Sequence, residues 1–127
     1  MVITFLSDFG LQDAFVGTCH GVMRRIAPDA QIIDITHGIP PQQVLQGALV
    51  LGNTLPYMPR GVHLAVVDPG VGSHRRALAV RTGDGRLLVG PDNGLLLVAA
   101  DALGGVDEAH ELANPAYALA SVSRTFH

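Results

Sequence analysis

The strongest constraint on this chain is an alternation of two patterns. Short continuous apolar runs rich in β-branched residues take turns with segments whose apolar residues recur every three or four positions. Val2–Ser7 is such a run, bounded by Asp8 and Gly10. A helix follows from about Asp13, with Phe15, Val16, Cys19, Val22, Met23 and Ile26 at helical spacing, and Pro28 ends it. Gln31–Ile35 reads as a second strand. Pro40 and Pro41 suit the first turn of a second helix, expected to bury Val44, Leu45, Ala48, Leu49 and Gly52. Val62–Val67 is nearly continuous in apolar character, as a strand covered on both faces should be. The strand–helix–strand–helix–strand order implies right-handed crossovers. The expected fold class is α/β, a largely parallel sheet flanked by helices.

The rest of the chain extends that sheet. Ala77–Thr82 and Arg86–Gly90 flank Gly83-Asp84-Gly85, a hairpin signature. Asn93–Leu103 reads as a third helix ending at Gly104-Gly105, and Asp107–Leu112 as one more strand. No repeat, low-complexity segment or linker divides residues 1–127, so a single domain is expected. Hydrophobic residues make up 48% of the 127, enough for a sizeable core, since a domain near this size buries roughly 68% of its unfolded surface.

Charge narrows the partners. Charged residues are 15% of the chain, the net charge is −3, and every basic residue is Arg. The arginines pair only at Arg24–Arg25 and Arg75–Arg76, without the basic stripe that phosphate backbones require, so no nucleic-acid partner is expected. The runs Leu45–Leu51 and Leu95–Ala100 are too short to span a bilayer, so no membrane partner is expected. A single Cys19 and the lack of a cationic-then-apolar leader lead to the expectation of a cytoplasmic setting. The chain stops at Ser123-Arg124-Thr125-Phe126-His127 in mid-pattern, and a domain cut short at its C-terminal end is expected.

Open parallel sheets bind ligands beyond the carboxyl ends of their strands. Asp8 in Ser7-Asp8-Phe9-Gly10 and Asp68 in Asp68-Pro69-Gly70-Val71-Gly72 fall there, beside glycines that let backbone approach a ligand. Gly90-Pro91-Asp92-Asn93-Gly94 makes a third such turn. Each has an ordinary reading too. Asp8 and Asp13 suit helix caps, Asp68 a turn, Asp92-Asn93-Gly94 a turn and cap, and Arg75 and Arg76 solvated surface. His20, His63, His74 and His110 read as structural or exposed, whereas His37 follows a strand and is a weaker site candidate. GxGxxG after the first strand, GxxxxGK[ST], CxxC, HExxH and GxSxG are all missing. A metal site of Asp8, Asp68 and His127 gains no support from spacing. A carboxylate-lined cleft without phosphate-binding devices suits a cationic or polyhydroxylated ligand.

Taken in order, Ser7-Asp8-Phe9-Gly10 with Asp13, Asp34-Ile35-Thr36-His37 with Pro40-Pro41, Asp68-Pro69-Gly70-Val71-Gly72, Pro91-Asp92-Asn93-Gly94 and Arg124-Thr125-Phe126-His127 resemble the S-adenosylmethionine hydroxide adenosyltransferase family. That family is related to S-adenosylmethionine-dependent fluorinases and chlorinases. The resemblance spans the chain and implies an α/β N-terminal domain whose β-rich C-terminal partner domain is absent here. It implies a homotrimer in the full-length protein, with active sites between subunits. It implies hydrolysis of S-adenosyl-L-methionine, as substrate and with no cofactor, to adenosine and L-methionine. By motif position the catalytic trio falls on Asp68, Arg75 and His127. Asp8 matches the carboxylate set against the ribose hydroxyls, and Asp13 one near the methionine end. The halogenating relatives lack the aspartate at position 68, so its presence points to water as nucleophile. Halide-dependent adenosyl transfer is the alternative on this scaffold. A non-catalytic adenosine- or S-adenosylmethionine-binding fragment is the alternative of another class, and a metal-dependent hydrolase on the same carboxylates is a third. Without the C-terminal half, the chain alone is expected to be inert.

Overall fold

The computed structural model describes residues 1–69 and 76–113. Elements run in the order β1 (Val2–Ser7), α1 (Phe15–Ile26), β2 (Gln31–Thr36), α2 (Val44–Thr54), a 3-10 turn (Leu55–Tyr57), β3 (Val62–Val66), β4 (Ala77–Thr82), β5 (Leu87–Pro91), α3 (Leu97–Ala102) and β6 (Val106–Glu111). They form one six-stranded sheet in the order β2-β1-β3-β5-β4-β6. β1 is parallel to β2 and β3, and β3 to β5. β4 is antiparallel to both β5 and β6. The expected α/β architecture is what the chain adopts. No helix among the described residues is long and apolar enough to cross a membrane.

The alternation of β1 sorts its side chains between two layers. Leu6 joins Ala65, Val67, Leu88 and Val80 under α2 and α3, where Ala48, Leu51, Leu55, Ala99 and Ala100 complete the main core. Phe5 faces the other layer, beside Phe15, Cys19, Val22 and Met23 of α1. His63, wholly buried on β3, lies between Thr4 and Arg86. Arg86 donates from Nη1 to the carbonyls of Leu55 and Met58 at 3.0 and 2.8 Å and from Nε to Asp84 at 2.9 Å. Its cation therefore closes the carbonyl-bearing end of α2 and the 3-10 turn, where positive charge is favourable.

Three expectations need adjustment. α2 turns inward a stripe that keeps Ala48 and Gly52 of the expected set and adds Gly47 and Leu51, while Leu45 and Leu49 are 71% and 48% exposed. The cause is close packing of α2 on α3, for a Cβ on Gly52 would sit 2.6 Å from Val98 Cγ1. On α1, Ile26 is exposed. The third helix begins four residues later than expected. Asn93 makes a side-chain turn onto the Leu95 amide and Gly94 takes φ +89°, which holds residues 93–96 out of helix.

Candidate active site

The two crossovers run in opposite directions along the sheet. The β1–α1–β2 connection places β2 on one side of β1, and the β2–α2–β3 connection returns to place β3 on the other. The helices accordingly lie on opposite faces, and a crevice opens at the carboxyl ends of β1 and β3. This is the switch point at which open α/β sheets bind ligands.

Both acidic candidates sit there. Ser7 pairs with Val66, and the Asp8 amide donates to the Val66 carbonyl at 3.3 Å, so Asp8 and Asp68 leave neighbouring strands at the same end. Asp68 is 9% exposed and lines a cavity of about 280 Å³ between α1 and the sheet. The rest of that cavity is apolar, with Phe5, Phe9, Phe15, Leu64 and Val89 among its walls. A carboxylate at the rim of an apolar hollow raises the local value of any cationic ligand, because the charge pair forms away from bulk water.

The turn after β1 is held from several directions. Gly10 takes φ +72° and donates its amide to the His37 carbonyl at 2.8 Å. The Phe9 amide donates to Ser7 Oγ at 3.2 Å. Asp8 Oδ2 accepts the Gln42 amide at 2.7 Å, a short charge-assisted bond. Gln42 has φ +66°, a left-handed conformation unusual for a side chain of its kind. Beneath the turn, Ser7 Oγ lies 2.5 Å from His37 Nδ1, and His37 Nε2 lies 2.8 Å from Asp34 Oδ1. His20 Nε2 meets the same oxygen at 2.9 Å. Burial opposes ionisation of Asp34, but hydrogen bonds from His37 and His20 and the charge those rings carry when protonated outweigh it. The carboxyl is held below its ordinary range. On the far side, Asn93 Nδ2 donates to the Val67 carbonyl at 2.9 Å, tying the turn after β5 to the residue before Asp68.

The remaining candidates divide. Asp13 is exposed and accepts the Phe15 amide at 3.0 Å, the geometry of a helix-start turn. Arg75 and His127 lie outside the described residues, as does His74. Arg76 is on the surface and pairs with Asp92 at 2.6 Å. His63 and His110 are respectively buried and exposed, as expected, and His20 is the partner of Asp34. Among the described residues, no group of three His, Cys, Asp or Glu side chains is arranged to hold a metal ion. Ser7, Asp34, Gln42 and Asn93 carry the local geometry; Ser7 and Asn93 stood in segments singled out as turns and Asp34 in one that carried the family resemblance, whereas Gln42 stood in none. Nothing in residue type marks Gln42, whose role is played by its backbone.

The chain is an open α/β sheet domain with two carboxylates at its switch point, where folds of this class bind ligands. More particularly, the chain belongs to the SAM hydroxide adenosyltransferase N-terminal domain family, whose profile matches residues 3–127. It is 61% identical over 125 residues to an (R)-S-adenosyl-L-methionine hydrolase from Salinispora arenicola, covering 98% of this chain and 48% of that protein. A fluorinase from Actinoplanes sp. is 28% identical, with coverage of 99% and 50%. In three dimensions the chain matches the crystal structure of an uncharacterized conserved protein from Thermotoga maritima, with a TM-score of 0.90 and 42% identity. That match covers 98% of this chain and 48% of the other. The chain thus spans about half the length of the curated relatives it matches.

Proposed function

We propose that this chain supplies the water-activating half of an S-adenosyl-L-methionine hydrolase that releases adenosine and L-methionine. The observation that carries the reading is the convergence of Asp8 and Asp68 at the switch point, Asp68 at the rim of an apolar hollow. The greater similarity to a hydrolase than to a fluorinase supports water over halide as nucleophile.

The chemistry follows from the substrate. Sulfonium leaves as a neutral thioether, so its departure needs no acid. The demanding partner is water, whose pKa in bulk is near 15.7. In the proposed scheme Asp68 or His127 takes a proton from the attacking water while Arg75 holds the developing negative oxygen. General-base assistance contributes about 10²–10⁴-fold, and a placed charge donor about 10²–10³-fold. Attack of an anion-like oxygen on a cation cancels charge, so a dry site favours it. Asp8 would clamp the ribose hydroxyls so that oxygen, carbon and sulfur lie in line. Asp13 would approach the methionine end. The scheme needs no cofactor, and the family resemblance supports a cytoplasmic homotrimer as the working protein.

The test joins this chain in frame to the remaining half of the Salinispora arenicola hydrolase and measures adenosine and methionine by chromatography. The chimera should turn over S-adenosyl-L-methionine. Asp68→Asn should lower the rate by about 10²-fold or more while leaving adenosine binding in place. Undiminished turnover by that variant would remove Asp68 from the mechanism. A 5′-halogenated nucleoside formed in chloride would establish halide transfer instead.

A further inference from the structure

The chain Asp34–His37–Ser7 has the order of a charge-relay triad, but its serine cannot act as a nucleophile. Ser7 is 0% exposed and His37 5%, and Ser7 Oγ already accepts the Phe9 amide. Proton positions within the chain follow from elimination. Asp34 is ionised and can only accept, so His37 Nε2 donates to it at 2.8 Å. In the neutral ring, Nδ1 is then an acceptor, filled by the Ser7 hydroxyl at 2.5 Å. Every bond points the same way, from the Phe9 amide through Ser7 and His37 to Asp34, an arrangement in which each bond strengthens the next. The same residue grips the turn a second time, through the bond from the Gly10 amide to the His37 carbonyl at 2.8 Å. Ser7 and Gly10 bracket Asp8.

We propose that His37 is a positioning residue that fixes the carboxylate of Asp8 by holding the backbone on both sides of it. The inference rests on the proposed placement of Asp8 against the ribose. His37 itself touches no substrate. Its ring sets the orientation of Ser7, its carbonyl sets that of Gly10, and Asp34 locks the ring. With both flanks held, Asp8 Oδ2 meets the Gln42 amide at 2.7 Å.

Two near-isosteric substitutions separate this role from general support of the fold. Asparagine places an acceptor where Nδ1 stands, so His37→Asn keeps the bond from Ser7 and loses the one to Asp34. Glutamine places a donor where Nε2 stands, so His37→Gln keeps Asp34 and loses Ser7. The probe is the Gln42 amide proton in NMR spectra of this chain, calibrated with Asp8→Ala, which frees that amide. His37→Gln should move the resonance roughly half-way or more toward the Asp8→Ala position, and His37→Asn only slightly. Adenosine titration should show a loss of about tenfold in affinity for His37→Gln and under about threefold for His37→Asn. An unmoved Gln42 amide in His37→Gln, or equal movement in both variants, overturns the proposal. If the amide splits as expected but the parent chain binds no adenosine, His37 still positions Asp8 and the ribose reading is what fails.

Discussion

Acidification should weaken this fold well before its carboxylates titrate, through one buried imidazole. His63 is 0% exposed, its Nε2 lies 3.2 Å from Arg86 Nη1, and its Nδ1 lies 2.7 Å from Thr4 Oγ1. Arginine can only donate, so Nε2 must accept and Nδ1 carries the hydrogen that Thr4 receives. Protonation would remove that acceptor and set a second cation against the guanidinium. Burial first, and the Arg86 charge second, push His63 from 6.5 down to about 4, with the Asp84 charge opposing. Between those values the unfolded chain binds more protons than the folded one, so stability rises with pH. The contribution is intact above pH 6.5, falls as pH drops toward 4, and levels off below that. At about 1.36 kcal/mol per unit, the loss across the window is about 3 kcal/mol. Asp34 and Asp84, held low by their partners, lose their contributions only below their ordinary value of 3.8. Urea unfolding followed at pH 7.5, 6, 5 and 4.5 reads the slope. His63→Gln keeps an acceptor for Arg86 without a titrating ring, so it should be less stable at neutral pH by about 1–3 kcal/mol. It should also lose the slope. A parallel decline in both proteins would refute the assignment of the slope to His63.

Three further outcomes follow from the packing. Gly90→Ala would set a Cβ 2.7 Å from the Ala65 carbonyl oxygen, and calorimetry should show a loss of about 1–3 kcal/mol. Asn93→Ala removes the bond to the Val67 carbonyl and the turn onto Leu95, and should cost about 1–3 kcal/mol in urea unfolding. Cys19, on the cavity wall, has its thiol pushed above its ordinary pKa by burial, so iodoacetamide should alkylate it more slowly at pH 8 than in the urea-unfolded chain.

The parallel core was legible because periodicity reports it directly. Val2–Ser7 was located to the residue, and the Gly83-Asp84-Gly85 hairpin was visible in its turn chemistry. α2 was legible only in part: Ala48 and Gly52 lie inside as expected, but the helix is apolar nearly all round, and residue type alone cannot choose Gly47 and Leu51 over Leu45 and Leu49. Packing chose the side with small residues, where Gly47 and Gly52 let α2 approach its neighbours. The final strand was expected close to where it lies, but its place beside β4 is a long-range pairing that no local pattern encodes. The positions of Asp8 and Asp68 beyond neighbouring strand ends were legible from the strand patterns. The frame behind them was not. Ser7 and Asp34 are common residue types at positions where only the fold makes them neighbours of His37, and Gln42 acts through its amide.

The decisive measurement is turnover of S-adenosyl-L-methionine by the chimera in ¹⁸O-enriched water, with mass spectrometry of both products. Water attacking the ribose carbon predicts one heavy oxygen in adenosine and none in methionine, with the signal lost in Asp68→Asn. Label in the methionine, or label in adenosine that survives the loss of the Asp68 carboxylate, would contradict the account.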